Sequence, residues 1–323
     1  MRAAVVDQFG PPDVVHIEGI EPPDPKADEL LIRVVHATLN RTDTGFRSGT
    51  PLLARPAMGV LRPRWRVLGT EFCGEVAGTG SAVTGFRNGD AVFGINPWRF
   101  GTHAEYVCVP AAGTVAPKPE ALNNEEAAAV CDGGLLALMN LRDARLGAGQ
   151  RVVVYGASGA IGSAGVQIAK NLRATVTAVT STANVDLVRG LEPDEVIDYE
   201  QTDFTKNREA YDVIFDAVGK LSFARCRPAL KPGGRHVPTD GVRNMLLAAS
   251  HLAVGGRRAV MALPPRYRKQ DVLFLKQLID AGRFRPLIDR VYALDDIVAA
   301  HRYVDTGQKL GNVVISVAAP PVS

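Results

Sequence analysis

Residues 151–165 combine a β-branched run, a cluster of small residues and an apolar helical pattern, in that order. A strand that passes through such a turn into a helix places backbone amides and the positive end of the helix dipole beneath a pyrophosphate. The turn matches the dinucleotide fingerprint G-x-G-x-x-G with alanine at its first position, and its flanks favour this interpretation over a glycine-rich turn without a ligand. The predicted cofactor-binding residues of the turn are Gly156, Ala157, Ser158, Gly159, Ala160, Ile161 and Gly162.

The end of the next predicted strand bears on the choice of coenzyme. Sites for NAD place Asp or Glu here, where the carboxylate accepts a hydrogen bond from the ribose 2′-hydroxyl and repels a 2′-phosphate. This chain has Ser181 and Thr182 instead, and their hydroxyl groups can donate to a phosphate. The sequence therefore favours NADPH over NADH, although Ser and Thr at a strand end are also ordinary turn residues.

Metal-binding and hydrolytic motifs are not found in the sequence. The four cysteines lack C-x-x-C spacing and the six histidines lack H-x-x-x-H spacing, so no metal site is predicted. Ser158 lies in a G-x-S-x-A segment that is similar to an esterase elbow, but a pyrophosphate would occupy that turn, so hydrolysis is not favoured. The residues concerned are Cys73, Cys108, Cys131, Cys226, His16, His36, His103, His236, His251 and His301.

The elements that must position these residues fall into two parts. Short alternating apolar runs up to residue 124 predict a strand-rich, barrel-like domain with little helix. From residue 125, strand and helix signals alternate in the rhythm of parallel β/α units, and the last helices and strand return to the first domain. The predicted fold is α/β, with a β-rich domain (1–124 and 265–323) and a doubly wound dinucleotide-binding domain (125–264). Its six strands are predicted at 151–155, 175–180, 195–198, 212–216, 235–239 and 258–262.

Composition limits the classes of function. Hydrophobic residues make up 46% and charged residues 22% of the 323 residues, which fits a globular chain and excludes a disordered or fibrous one. A formal net charge of +3 without runs of like charge does not suit a nucleic-acid binder. Asp7 interrupts any signal-like apolar core, no stretch reaches the roughly 18 apolar residues of a membrane span, and dispersed cysteines suit a reducing compartment. We therefore expect a cytoplasmic protein without membrane or nucleic-acid partners.

The chain resembles the medium-chain dehydrogenase/reductase superfamily, in its zinc-independent quinone-oxidoreductase branch, over essentially its whole length. This resemblance implies a GroES-like catalytic domain made from both chain ends, an inserted Rossmann domain, a nicotinamide bound in the cleft and a homodimer. The Gly159/Gly162 turn carries part of the resemblance. The other segments that carry it are 40–43, 47–49, 68–71, 89–94, 101–106, 133–135, 196–199, 211–219 and 309–314.

The resemblance also implies roles for individual residues near the coenzyme. Relatives that prefer NADP often carry Lys where this chain has Ala183, and Lys309 is a possible substitute cation. By matching position, Ser181, Thr182 and Tyr199 would surround the 2′-phosphate, Ala217 and Gly219 would lie near the nicotinamide, and Asn40 would lie at the reaction site.

Zinc-dependent relatives hold their metal with two cysteines and a histidine, whereas this chain has Asn40, Thr70 and only Cys131 near those positions. One soft ligand cannot hold catalytic zinc. The proton-donating Tyr of enoyl-thioester reductases is also replaced, by Pro51. The predicted catalytic residues are Asn40 as an amide donor, Thr70 and Thr42 as hydroxyl donors, Arg47 as a cation, and Asp43, which would orient Asn40 or cap a turn.

Reduction of a quinone or of a conjugated C=C bond needs hydride and mild stabilisation of the resulting oxygen charge, which suits a site without metal. The predicted function is therefore an NADPH-dependent reductase of small-molecule quinones or α,β-unsaturated carbonyls. A metal-free alcohol dehydrogenase or carbonyl reductase, and a non-catalytic NADPH-binding sensor or structural protein, stay as alternatives. Residues 55–66 contain four arginines and Trp65, which suggests either a lid over a flat or acidic substrate or a solvated loop.

Overall fold

The β-branched runs of the first part pair into a seven-stranded sheet in the order β14-β15-β3-β4-β5-β7, with β6 paired to β3. The computed structural model describes residues 1–50, 52, 55–250, 256–262 and 265–317, so that Pro51 and His251 lie outside the described residues. A separate hairpin consists of β1 (Arg2–Val6) and β2 (Val15–Gly19). The strands of the larger sheet are β3 (Glu29–Leu39), β4 (Glu71–Thr79), β5 (Ala91–Ile95), β6 (Tyr106–Pro110), β7 (Val115–Pro117), β14 (Ile288–Ala293) and β15 (Asn312–Ser316).

Register in this sheet brings distant parts of the chain to one edge. Ala37 pairs with Phe72, and Leu39 pairs with Val313, both in antiparallel ladders. Because antiparallel neighbours run in opposite directions, the end of β3 lies beside the beginnings of β4 and β15. The residues that follow β3 and those that precede β4 and β15 therefore meet at this edge.

The second part forms a six-stranded parallel sheet in the order β10-β9-β8-β11-β12-β13, with β8 as the first strand in the chain. This is the 3-2-1-4-5-6 order of a doubly wound dinucleotide-binding sheet, whose ligands bind at the carboxyl ends of the strands. Its strands are β8 (Arg151–Tyr155), β9 (Thr175–Thr180), β10 (Glu195–Asp198), β11 (Tyr211–Asp216), β12 (Leu230–Pro238) and β13 (Arg258–Ala259).

Two compact units result from this organisation. The first contains Met1–Asp132, Tyr267–Gly282 and the chain from Pro286, and the second contains Gly133–Arg266 and Arg283–Arg285. The chain passes from the first unit to the second inside α4, whereas the predicted boundary lies after residue 124. Helices of the first unit are α1 (Arg41–Ser48), α2 (Arg55–Met58), α3 (Asn124–Ala128), α9 (Lys269–Asp280) and α10 (Ile297–Asp305). The remaining helices are α4 (Cys131–Asp143), α5 (Ala160–Asn171), α6 (Val185–Arg189), α7 (Phe223–Cys226) and α8 (Val242–Ser250).

The arginine-rich segment 55–66 is tied to the first unit. The Trp65 ring lies 5.6 Å from that of Phe46 and 5.0 Å from that of Phe100, measured between centroids. Arg66 forms ion pairs with Asp7 at 2.7 Å and with Glu18 at 2.9 Å. These contacts indicate that Trp65 and Arg66 pack the unit, which disfavours the lid that their residue types suggested. Among the described residues, no helix has the length and apolar character needed to span a membrane.

Candidate active site

The glycine turn after β8 forms an open cradle at the beginning of α5. Gly159 precedes this helix with extended backbone, and no side chain caps the first turn of the helix. A Cβ on Gly159 would meet only the Gly156 carbonyl, at 3.6 Å, whereas a Cβ on Gly162 would lie 2.0 Å from that oxygen. Gly162 is therefore required for the close approach of α5 to the turn. The first backbone amides of α5, which no side chain caps, fit a pyrophosphate.

A second segment of the parallel sheet lies next to this turn. The Ala217 amide donates to the Tyr155 carbonyl at 3.0 Å, and a Cβ on Gly156 would lie 2.7 Å from the Val218 side chain. Both oxygens of buried Asp216 hold the loop, because they accept the amides of Val218 (3.2 Å) and Leu221 (2.6 Å). The structure thus brings the predicted nicotinamide segment 217–219 beside the phosphate turn within the same unit.

Two carboxylates lie beside Thr182, one of the residues predicted around the 2′-phosphate. The Thr182 hydroxyl lies 2.7 Å from a carboxylate oxygen of Asp198 and 2.7 Å from one of Glu200. The hydrogen bond from Thr182 lowers the pKa of Asp198. The Tyr199 ring is exposed and lies 5.9 Å from that of Tyr155. This acidic pair was not predicted, and it places negative charge beside a hydroxyl that was expected to serve a phosphate.

In the first unit, Asp43 holds the turn that carries Asn40. One oxygen of Asp43 accepts the Asn40 amide at 2.8 Å, and the other accepts the Gly69 amide at 3.0 Å. Asp43 is fully buried, and this burial raises the pKa of its carboxyl group, an effect that nearby His103 opposes. Asp43 thereby connects the beginning of α1 to the segment that leads into Thr70 and β4.

A buried carboxyl group missed by sequence reasoning lies beside Asn40. Glu71 accepts hydrogen bonds from the Thr38 hydroxyl at 2.6 Å, the Asn40 side-chain amide at 3.1 Å and the Asp132 backbone amide at 2.6 Å. Burial and the Asp132 carboxylate raise the pKa of Glu71 to about 8, and burial together with Asp43 raises the pKa of Asp132 to about 6. The pair therefore holds a proton at neutral pH.

Two further residues complete this group. Lys309 donates to the Gly311 carbonyl at 2.8 Å, and the carboxylates of Asp132 and Glu71 oppose the lowering of its pKa by burial. Burial, Asp132 and Glu71 raise the pKa of the Tyr267 phenol. Lys309 thus lies near carboxylates of its own unit. The sequence had suggested instead that it is a cation for the coenzyme phosphate.

The other predicted catalytic residues are differently engaged. The Arg47 guanidinium pairs with Asp305 at 2.7 Å and donates to the Gly10 carbonyl at 3.2 Å. Thr70 is buried, and its carbonyl accepts the Asn96 amide at 2.6 Å, while Thr42 is exposed. The structure therefore hydrogen-bonds Asn40 to both Asp43 and Glu71, leaves Thr70 beside Glu71 in the chain, and pairs Arg47 with α10.

A cavity of the first unit lies near this group but does not include its polar centre. This cavity has a volume of 370 Å³ and is lined by Tyr267, Asn96 and Trp98, among others, but neither Asn40 nor Glu71 lines it. Tyr267 is the residue that the cavity and the buried group share.

The positions that hold zinc in zinc-dependent relatives do not fit that metal here. Asn40 offers an amide and Thr70 a hydroxyl, and burial together with Glu71 and Asp132 raises the pKa of the Cys131 thiol well above its ordinary value. Catalytic zinc sites use thiolate, imidazole and carboxylate donors. Among the described residues, the carboxylates of Glu71 and Asp132 do not form a set of three metal-binding groups with Cys131. At the surface, Asp7, His16 and Glu18 lie close enough to share a cation, but Arg66 already neutralises both carboxylates.

Comparison with known proteins agrees with this architecture. Residues 26–120 match the alcohol dehydrogenase GroES-like domain, and residues 191–315 match the zinc-binding dehydrogenase family. The chain is 31% identical to 2-methylene-furan-3-one reductase of Solanum lycopersicum, over 98% of this chain and 79% of that protein. It is 29% identical to the chloroplastic NADPH-dependent alkenal/one oxidoreductase of Arabidopsis thaliana, over 98% and 79%. The structure of the quinone oxidoreductase from Coxiella burnetii superimposes with a TM-score of 0.88 at 30% identity, over 98% and 99% of the two chains.

The parallel sheet, its glycine turn and the GroES-like unit define a nicotinamide-dependent oxidoreductase fold, and the chain belongs to the medium-chain dehydrogenase/reductase superfamily. Within this superfamily it belongs to the quinone-oxidoreductase-like branch. The resemblance stated from the sequence is thereby confirmed, as is the α/β fold with GroES-like and Rossmann parts.

Proposed function

We propose that the protein is an NADPH-dependent oxidoreductase that delivers hydride to a quinone or to an α,β-unsaturated carbonyl compound. The observation that carries this proposal is the buried group around Asn40 and Glu71, which stands where related enzymes hold zinc and offers hydrogen bonds and a proton instead. Relatives named for the reduction of enones, alkenals and quinones support the same substrate class.

This group suits a conjugated acceptor better than a simple alcohol. When bound, the nicotinamide supplies hydride. The substrate oxygen then gains negative charge, which hydrogen-bond donors of a buried site can stabilise strongly because water is excluded. In the structure the side-chain amide of Asn40 donates to Thr38 and Glu71, so this donor must leave one of these partners to reach a substrate. Glu71 can hold a proton beside that amide, since burial disfavours its ionised form. Oxidation of a simple alcohol would require a stronger electrophile on its oxygen than these residues supply.

Three observations support the coenzyme assignment. The uncapped beginning of α5 and the space at Gly159 fit a pyrophosphate. The hydroxyl residue Ser181 follows β9, at the carboxyl end of the strand next to β8. The Arabidopsis thaliana relative is named as NADPH-dependent. The Asp198 and Glu200 carboxylates oppose a 2′-phosphate, so the preference for NADPH rests on the hydroxyl donors and on this relative.

The decisive experiment follows the oxidation of NADPH and NADH in the presence of quinones, enones, alkenals and simple alcohols. We expect NADPH to be oxidised in the presence of conjugated acceptors. Addition of a metal chelator should not change the rate. The Gly159→Ala variant tests the phosphate site. Its added Cβ would lie 3.6 Å from the nearest protein atom, so the fold accommodates it, but it would occupy the space of the phosphate. It should fold normally and bind NADPH more weakly.

Two outcomes of this experiment would contradict the proposal. Coenzyme binding without turnover of any acceptor would identify a sensor or structural protein, and alcohol oxidation that a chelator abolishes would contradict the donor argument. We also propose a cytoplasmic homodimer, which the family resemblance and the free cysteines Cys73, Cys108, Cys131 and Cys226 favour. Sedimentation velocity of the purified protein tests the dimer.

A further inference from the structure

The cavity of the first unit combines an aromatic wall with a charged one. Its volume of 370 Å³ is within the range of pockets that hold small ligands. The rings of Trp98 and Tyr267 meet edge to face at its wall, with 6.1 Å between their centroids. Trp98 is 62% exposed, although tryptophan is mostly buried in folded proteins. A large aromatic ring that stays exposed beside a cavity is typical of a surface that binds a flat ligand.

Three cationic side chains line the same cavity, and its described lining residues include no aspartate or glutamate. Arg99 is neutralised, because it pairs with the buried carboxylate of Glu29. Lys269 has neutral partners, since its ammonium group donates to a backbone carbonyl at 2.9 Å and lies 5.2 Å from the centre of the Phe86 ring. Arg268 is exposed and forms no ion pair within the part of the chain that the structure describes. The cavity therefore carries two positive charges that an anionic ligand can neutralise.

The place of these two cations in the chain also favours an anion. Arg268 precedes α9 and Lys269 begins it, where the helix dipole makes positive charge unfavourable. Asp271 lies in the first turn of the same helix, and this single carboxylate leaves an excess of positive charge. Because the two cations directly follow Tyr267, the charged wall adjoins the aromatic one.

Two residues connect the cavity with the buried group of the candidate active site. Ile95 lines the cavity and is the partner of Glu71 in the pairing of β4 with β5. Tyr267 also lines the cavity, and burial together with the charges of Asp132 and Glu71 raises the pKa of its phenol. The cavity and the buried group are therefore neighbours within the first unit.

We propose that this cavity binds the acceptor, and that the acceptor it fits best is a flat aromatic molecule with an anionic substituent, such as a carboxylate, held by Arg268 and Lys269. This inference rests on the proposed function and specifies its substrate class. The aromatic part of the acceptor packs on the two rings of the cavity wall. The sequence suggested a flat or acidic substrate from segment 55–66, whereas the structure provides such a surface at this cavity.

Calorimetric titration with two probes that NADPH cannot reduce tests the cavity without turnover. Naphthalene-2-sulfonate and naphthalene-2-sulfonamide have the same ring and nearly the same shape, but only the sulfonate is charged. The titration is done with saturating NADP⁺, which fills the coenzyme site so that the sulfonate cannot bind there. The Kd for the sulfonate should be about tenfold lower than that for the sulfonamide, and added salt should reduce this difference.

Three variants separate the charged contact from the aromatic one. Arg268→Gln should raise the Kd for the sulfonate by roughly three- to tenfold and leave that for the sulfonamide unchanged. Trp98→Leu should raise both Kd values by a similar factor of about three or more, because it removes aromatic contact but no charge. Arg302→Gln is the matched control, since it removes an exposed arginine on α10 of the same unit and should change neither Kd.

Kinetics with cinnamaldehyde and 4-carboxycinnamaldehyde provide the second readout. In the wild type and in Arg302→Gln, the KM of the carboxylated enal should be about tenfold lower than that of cinnamaldehyde. Arg268→Gln should lose most of this preference with little change in kcat, because it removes binding that is equal in the ground state and the transition state.

Equal Kd values for the two probes in the wild type would overturn the inference, as would an Arg268→Gln variant that weakens both probes alike. If NADPH is oxidised but the two enals have equal KM values, the inference fails and the proposed function stands. If the sulfonate binds with the expected preference but no acceptor is reduced, the proposed function fails, while the preference of the cavity for an aromatic anion stands.

Discussion

Glu71 carries a carboxyl group that burial keeps protonated at pH values where an exposed glutamate is ionised. Its folded-state pKa of about 8 lies above the roughly 4.3 of an unfolded glutamate. Between these values the unfolded chain releases a proton that the folded chain keeps, so Glu71 lowers stability progressively as pH rises through this window. Below it, Glu71 is protonated in both states and contributes no pH dependence.

Replacement of Glu71 by Gln should remove this pH dependence. We expect the melting temperature of the first unit in Glu71→Gln, relative to wild type, to increase as pH is raised from about 4.3 to about 8 and to level off above that. Thermal unfolding across this range measures the difference. Glu75→Gln at the surface should show no such trend, and a difference that stays constant with pH would contradict the buried protonated state.

The acidic pair beside Thr182 makes a prediction about coenzyme selectivity. Glu200 is exposed, and its carboxylate adds negative charge where a 2′-phosphate is expected. Glu200→Gln should lower the Kd for NADPH by roughly three- to tenfold, since two like charges several ångströms apart interact weakly but measurably in water, and should leave the Kd for NADH almost unchanged. Titration calorimetry with both coenzymes measures the two constants.

Glu195→Gln is the matched control for this change, because Glu195 begins β10 while Asp198 ends it. If Glu200→Gln and Glu195→Gln alter the two Kd values alike, the 2′-phosphate does not lie beside Thr182.

Sequence reasoning identified the turn that fits the coenzyme but missed most of the buried polar group. The turn is contiguous, so its glycines and the strand before it are visible together in residues 151–162. Glu71 and Lys309 are far apart in the chain and come together because the end of β3 pairs beside the beginnings of β4 and β15. Asp132, at the beginning of α4, joins them through the hydrogen bond from its amide to Glu71. One local signal was present, since Asp132 is the one charged residue between Glu126 and Arg142.

At the level of elements, Arg47 connects α1 to α10 from the interior of the first unit. Its side chain is only 3% exposed and pairs with Asp305 at 2.7 Å. Arg302, which is also on α10, pairs with Asp13, but both of these side chains are more than half exposed. Exposed pairs contribute little to stability, whereas removal of the Arg47 guanidinium leaves the Gly10 carbonyl and the Asp305 carboxylate without their partner.

We therefore expect Arg47→Met to lower the free energy of unfolding by roughly 1–3 kcal/mol and Arg302→Met by less than about 1 kcal/mol. Denaturant unfolding of both variants measures this. The same variants test the catalytic role predicted for Arg47. A large rise in KM for the acceptor at unchanged stability would support that role and contradict the structural one.

Strands were predicted more accurately than the connections between them. The strands β8, β9 and β10 have the predicted bounds, because β-branched runs bounded by turn residues define them locally. The strand β12 begins at Leu230, before the predicted residue 235, since Gly233 and Gly234 indicate a turn in sequence but lie within the strand. The apolar segment 125–140 has the length of one helix but forms two in the structure, α3 and α4.

The whole molecule contains a separate hydrophobic core in each unit. The core of the first unit includes Leu30, Phe72 and Val313, and that of the second includes Val153 and Ile214. Each core draws its residues from one unit, and that of the first unit includes Ala4, Val6 and Val15 of the β1–β2 hairpin. Proteins with separate cores can unfold in more than one step, so a single melting temperature need not describe this chain.

We expect calorimetry to show two unfolding transitions, of which NADPH raises only the one that belongs to the second unit. At a concentration of about 100 times its Kd, a ligand that binds one folded unit stabilises it by about 2.7 kcal/mol. The two tryptophans, Trp65 and Trp98, both belong to the first unit, so tryptophan emission follows that unit alone. The transition that NADPH raises should therefore be absent from the emission curve, and Gly159→Ala should weaken the shift. A single transition, or two that NADPH raises equally, would show that the units unfold together.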